Sequence, residues 1–328
     1  MNQTIKFVAR ATAVAAALSI AGTAFAAPVV DANIELDNTS REGTAVAAAD
    51  RGLTQSGRVE LNVSNKVGED MFVAGKASFL SKKDGTVATD DMWVQLGSAT
   101  GDVKLGRFEA ADLFPLAGDT LVNHADADAN AATSTPTIYA ANKLRGRQGG
   151  DVFHAAGTLN LGSGFAFELG AIQTTTTTLI TSGARGWRPV VSYASGPLAV
   201  KLGMESGEYN SGNKISGFGL TASYDFGSFK LTGNVAQGKQ DAAANETTKS
   251  YALSAAMGGL GVGYASGVND LTGGDIRVNT TYVSYKMPLF GITGASVTPA
   301  LSSSTAKDSV AGTSLQETAF RVRLNYAF

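Results

Sequence analysis

Cysteine is absent from the 328 residues, and proline (7), histidine (2) and tryptophan (2) are scarce. Without cysteine there is no disulfide, thiolate metal site or thiol nucleophile. Past the N-terminal segment there is no apolar run of the roughly 18 residues that a membrane-spanning helix needs, which argues against a helical membrane protein. A basic surface is also lacking. Lys and Arg number 26 against 28 Asp and Glu, so no nucleic-acid partner is expected, since displacing phosphate counterions takes an excess of cations. The two histidines, His124 and His154, stand in no motif with a serine and an acid, so no enzymatic activity is expected. No cofactor is expected either. Asp126-Ala-Asp128-Ala-Asn130 begins like a calcium loop, but Ala131 and Thr137 occupy the positions that need glycine and glutamate. The glycine-rich run 258–263 lacks the strand-to-helix setting of a dinucleotide site.

What is present begins with an export signal. Lys6 and Arg10 precede a small apolar stretch, Ala11 to Ala21, which ends near Ala24-Phe25-Ala26. This is the pattern of a secretory signal peptide, residues 1–26, cleaved after Ala26. The expected mature chain, 27–328, is one domain. Losing Lys6 and Arg10 and no acid takes its formal charge from −2 to −4.

The last nine residues carry the strongest pattern. Phe320, Val322, Leu324, Tyr326 and Phe328 alternate with Arg321, Arg323, Asn325 and Ala327. In a strand this sets one apolar face against one charged face, as a wall between lipid and water requires. The same period of two appears in Val30–Asp37, Arg58–Val63, Val73–Phe79, Met92–Leu96 and around Lys104. It recurs near 151–161, 165–174, 187–194, 198–206, 215–225, 229–237, 249–257, 260–266, 275–287, 291–302 and 317–328, which makes sixteen strands. Short connections alternate with longer polar ones, the sorting of an up-and-down outer-membrane barrel with short periplasmic turns and long outside loops. An even count returns the last strand to the first and leaves no edge in lipid. A barrel of this size encloses water rather than side chains. Asp31, Glu35, Arg58, Glu60, Lys76, Lys104, Glu168, Arg188, Lys201, Lys230, Arg321 and Arg323 fall on the expected lumen phase.

One connection stands out. From Phe108 to about Gly150 it runs far longer than the rest, opening with Glu109, Asp112 and Asp119 and closing with Lys143-Leu-Arg145-Gly-Arg147. A loop of that length is disordered or functional. Folded inward on Leu113, Phe114 and Leu116, it would narrow the channel and set its acids opposite Lys76, Lys104 and Arg107.

With the signal peptide, the hairpin Trp93-Val-Gln-Leu-Gly97 to Gly101-Asp-Val-Lys-Leu-Gly-Arg107, the long fifth connection and the terminal Leu324-Asn-Tyr-Ala-Phe328, the chain resembles the general bacterial porins. The resemblance implies an all-β fold, a sixteen-stranded antiparallel transmembrane barrel of the Gram-negative outer membrane, assembled as a homotrimer, with the third outside loop folded into the pore as an eyelet. It puts Glu109, Asp112 and Asp119 on the acidic side, with Lys76, Lys104, Arg107, Arg145 and Arg147 as the basic set. It further implies passage of ions and small hydrophilic solutes, contact with outer-membrane lipid and lipopolysaccharide, and recognition by the assembly machinery through the strand ending at Phe328. Two departures stand against the family pattern. Leu113-Phe-Pro-Leu-Ala117 replaces the common eyelet motif, and the second outside loop, Lys82 to Asp90, is short. Other readings of the same barrel are a substrate-specific channel and a non-conducting structural or adhesin barrel.

Overall fold

Alternation along each segment produces extended strands, and the computed structural model describes them over residues 27–126, 137–147, 152–174, 184–209, 212–240 and 246–328. The expected signal peptide lies outside the described residues, as does most of the calcium-like segment, 127–136. The first five strands are β1 (Val29–Glu42), β2 (Gly52–Val67), β3 (Met71–Lys82), β4 (Val87–Ser98) and β5 (Gly101–Arg107). After the long connection come β6 (Val152–Gly162), β7 (Phe165–Thr174), β8 (Ala184–Ser195), β9 (Leu198–Tyr209), β10 (Lys214–Asp225), β11 (Lys230–Gln240), β12 (Glu246–Met257), β13 (Leu260–Leu271) and β14 (Gly274–Tyr285). The chain ends with a two-residue strand β15 (Met287–Pro288), then β16 (Ala295–Asp308) and β17 (Thr313–Ala327). Because β15 only prolongs the pairing of β14 against β16, the wall has the sixteen staves that the alternation predicts.

Every neighbour pair is antiparallel, and β1 pairs with β17 from Asn33↔Ala327 to Glu42↔Thr318, closing the sheet on itself. Phe328 and Ala32 exchange two backbone bonds of 2.8 and 2.9 Å at that seam. Closure satisfies the backbone polar groups that lipid cannot. On the outer phase Leu36 meets Leu324 and Ile34 meets Tyr326; on the inner phase Asp37 meets Arg323. The exposed large side chains, Val94, Leu202, Val235, Leu253 and Leu301 among them, follow the outer phase. A conventional core is replaced by an apolar belt outside and polar contacts within.

The connections differ from expectation in one respect. At the long-loop end β13 and β14 are joined by 272–273 alone and β16 and β17 by 309–312, as tight as turns at the other rim. The strands run on past the apolar belt, where both faces carry polar residues and the period of two fades from the sequence. Only the connection after β5 is long in the way its composition suggests.

Candidate functional site: the inner wall and the long connection

The long connection lies along the inner phase of the wall. Its outward leg starts where His154, fully buried in β6, stacks on Phe108 with ring centroids 3.9 Å apart and bonds the Phe108 carbonyl at 3.0 Å. The amide of Ala111 donates to Glu168 (3.1 Å), the Asn234 side chain to the Pro115 carbonyl (2.8 Å), and the amide of Ala117 to Ser254 Oγ (3.2 Å). These partners sit on β7, β11 and β12, so the leg crosses much of the circumference. Asp119 then reaches the seam.

Small residues make room for this leg. Leu113 is fully buried against β8–β10, where a Cβ at Gly203 would stand 2.6 Å from Leu113 Cδ1 and one at Gly219 2.9 Å from Leu113 Cβ. Ala236, Ala252 and Ala265 continue the shallow track on β11, β12 and β13. Full burial of a leucine contributes about 1.5–3 kcal/mol. These mid-strand glycines are a signal that a sequence reading assigns to turns; their inner-phase position is what marks them.

The return leg is held by one acid. Glu205 of β9 is 2% exposed; it accepts from the Tyr139 hydroxyl and from the Leu144 amide at 2.9 Å. Above it the Tyr139 amide donates to Ser250 Oγ (2.7 Å), and the Arg188 guanidinium binds the Ala141 carbonyl (3.1 and 3.2 Å). Burial pulls the Lys143 ammonium down to about 8 against the opposing pull of Glu205. Burial, reinforced by the Glu205 carboxylate, pushes the Tyr139 phenol well above its ordinary value. At the turn of the loop His124 Nδ1 meets Thr280 Oγ1 at 2.6 Å, and burial holds this imidazole down to about 4 although Asp126 and Glu317 pull the other way. His124 and His154 therefore both fasten loop to wall.

The expected site residues fall into two ionic groups. At the seam, Asp119 Oδ1 lies 3.2 Å from Arg321 and 3.0 Å from Arg323, while Arg323 also binds Asp37 at 2.7 and 2.8 Å. Glu35 extends this ladder to Arg323 (3.4 Å) and Arg58 (2.8 Å). The second group gathers at the ends of the long connection and β3–β5. Arg145 pairs with Glu109 and Asp112, each at 3.0 Å, and Arg147 with Asp90 (2.9 Å) and Glu109 (3.4 Å). Lys76 binds Asp91 at 3.0 Å. Arg107, in register with the outward Met92 and following Gly106 at φ 124°, donates to the Asp90 carbonyl (2.9 Å) and the Arg147 carbonyl (3.3 Å). Lys104 stands 4.5 Å over the Trp93 ring and 5.2 Å over that of Phe108. Asp90, Asp91, Asp37 and Glu205 were not singled out as site residues by the sequence; the first two sit where the alternation breaks at the bulge between Ala77 and Phe79.

The acids stay wet. Side-chain exposure is 36% for Glu109, 42% for Asp112 and 31% for Asp119, so pairs of this kind orient charge more than they stabilise the fold.

Residues 11–293 match the family model described as Gram-negative porin. Among curated protein sequences none matches. Among solved structures, an anion-selective porin from Comamonas acidovorans aligns with a TM-score of 0.65 at 18% identity, covering 92% of this chain and 99% of that one. The outer-membrane channel DcaP of Acinetobacter baumannii aligns at 0.65 and 11% identity over 94% and 99%. OmpT, an outer-membrane protein of Vibrio cholerae solved in a trimer form, aligns at 0.60 and 12% over 91% and 99%.

Proposed function

This chain belongs to the Gram-negative porin family and forms an outer-membrane channel, and from that premise we propose that ions and small hydrophilic solutes diffuse passively through an eyelet made by the long connection. The loop acids Glu109 and Asp112, paired with Arg145 and Arg147 in the group that holds Lys76, Lys104 and Arg107, form one part of the eyelet, and Asp119 with Arg321 and Arg323 forms the other. The observation that carries the reading is Asp119, a loop carboxylate carried along the inner wall to Arg321 and Arg323 of the last strand. Charges of both signs at one level orient polar solutes and give weak selectivity, whereas a ring of one sign would select strongly. The preference leans to anions, in keeping with the solved Comamonas relative, because Lys76 and Lys104 lie on the lumen phase of the wall. Three copies form the working unit, their barrels in contact through the apolar wall. The closing strand ending at Phe328 addresses the chain to the assembly machinery.

Reversal potentials in planar bilayers test this. Lys104→Gln shifts selectivity toward cations and Asp112→Asn toward anions. If neither substitution moves the reversal potential, the eyelet assignment is wrong; strong cation preference in the unaltered protein overturns the anion lean.

A further inference from the structure

Tryptophan occurs twice, and the two rings face different media. Trp187 stands on the outer wall, 54% exposed. Trp93 alternates with the outward Met92 and Val94, so it takes the inner phase of β4, in register with Lys76 on β3 and Gly106 on β5. An indole on the outer wall anchors a barrel at the lipid interface, a role that is closed to one on the lumen side. Gly106 leaves the position beside the Trp93 ring without a side chain. Trp93 itself is half-buried, on the arc of the wall that the docked leg of the loop does not cover.

Lys104 shares that face. It pairs with Gln95, the next inward residue after Trp93, and its Nζ stands 4.5 Å over the Trp93 ring and 5.2 Å over that of Phe108. Phe108 is fixed in turn, 3% exposed and stacked on His154. The other cations near this end of the loop are occupied: Lys76 holds Asp91, Arg145 and Arg147 hold Glu109, and Arg107 donates to two carbonyls. Among the described residues Lys104 alone of these five meets neither an acid nor a carbonyl. Aromatic faces attract an ammonium but bring no net negative charge to it. A cation between two rings therefore still calls for an anion, and the anion that suits such surroundings has a flat, apolar body. The pairing repeats toward the other rim, where Lys66 lies 4.1 Å over Phe72, a residue in phase with Lys76. Gly97, the partner of Phe72, follows Trp93 on β4 by roughly 13 Å of strand.

We propose that Lys104 and Trp93 form a subsite for aromatic carboxylates passing through the channel. Resting on the channel reading, the inference names a solute class within it. A carboxylate oxygen about 2.8 Å from Nζ satisfies the ammonium. The arene attached to that carboxylate then lies against the indole, in the space beside Gly106, within the roughly 4.5–7 Å between centroids that aromatic pairs favour. An aliphatic acid gains only the first contact and a neutral arene only the second. Phe108, buried against His154, steadies the ammonium. Lys66 and Phe72 offer the same pair of contacts further along, so a solute released by the first meets the second before the mouth. Both are shallow steps, as passage requires: binding strong enough to gather a solute and weak enough to release it.

Single-channel currents of the full chain at constant ionic strength, with benzoate, acetate or benzyl alcohol added in turn, test the assignment. In the unaltered protein benzoate interrupts the current at lower concentrations than either of the others. Trp93→Leu raises the benzoate concentration needed to that of acetate, a loss of about twofold to tenfold. Lys104→Gln raises it to that of benzyl alcohol, a loss of up to about fivefold. A control on the lipid side, Trp187→Phe, keeps the benzoate preference and leaves Trp93 as the one indole. In that variant para-nitrobenzoate quenches Trp93 emission saturably and benzoate relieves the quenching, which carries the test if Trp93→Leu fails to fold. Equal interruption by benzoate and acetate in the unaltered protein overturns the proposal, as does a benzoate preference that survives Trp93→Leu, or quenching that rises without saturation. Failure of the channel reading looks different: no conductance in any arm, with saturable quenching still present.

Discussion

Two arcs of the inner wall have the same strand geometry and opposite contents. Beneath the long connection, from β9 to β14, the inner phase against the loop is mostly small and neutral, with Gly203, Gly219, Ala236, Ala252, Ala265 and Val278, and its buried charge, Glu205, is spent on the loop itself. On β1–β5 it is ionic, with Glu35, Asp37, Arg58, Lys76 and Lys104. The outer phase of both is apolar, so lipid cannot explain the difference. What occupies the lumen does. Where the loop fills the volume, side chains shrink to admit it and meet its backbone with hydroxyls; where the loop does not cover the wall, there is room for charged side chains, which pair among themselves.

The comparison is broken most forcefully at Leu113. Leu113→Asp places a carboxylate among Gly203, Gly219 and Val190 with no partner and costs several kcal/mol of docking. Single-channel conductance should rise and become noisy as the loop leaves the wall; a trace like that of the unaltered protein would mean the docked leg does not limit flow. A smaller effect is expected at Glu205. Glu205→Gln keeps the shape but weakens the acceptor of the Tyr139 hydroxyl and Leu144 amide, costing about 1–3 kcal/mol, and amide hydrogen exchange at Leu144 should quicken while that of Ala117 stays slow.

The smallest effect sharpens the contrast through pH. His124 is neutral when docked, with its value held near 4 against an ordinary 6.5, so the undocked loop binds the extra proton between these limits. Docking is at full strength above about 6.5 and weakens as pH falls toward 4, by on the order of 1 kcal/mol at pH 5.5. Exchange of the Ala125 amide, which donates to Ser304, reports it; His124→Asn should flatten the dependence.

Much of this was legible in the sequence. Each of the sixteen alternating segments became a stave, and the terminal segment closes on the first with its arginines inward, as its period implies. Strand ends beyond the lipid belt were not legible, because polar residues on both faces erase the period. Nor were the partners of the loop. Asp119 and Arg323 are 204 positions apart, and only closure of the sheet brings them within 3.0 Å.

The sequence by itself determined the class, the strand count and the phase of each strand, because a wall between lipid and water forces a period of two on every segment. Only the tertiary structure decided which inner residues face water and which face protein, which acids meet which arginines, and that Lys104 stands over Trp93. Those follow from register and from the path of one loop, and neither leaves a period in the chain.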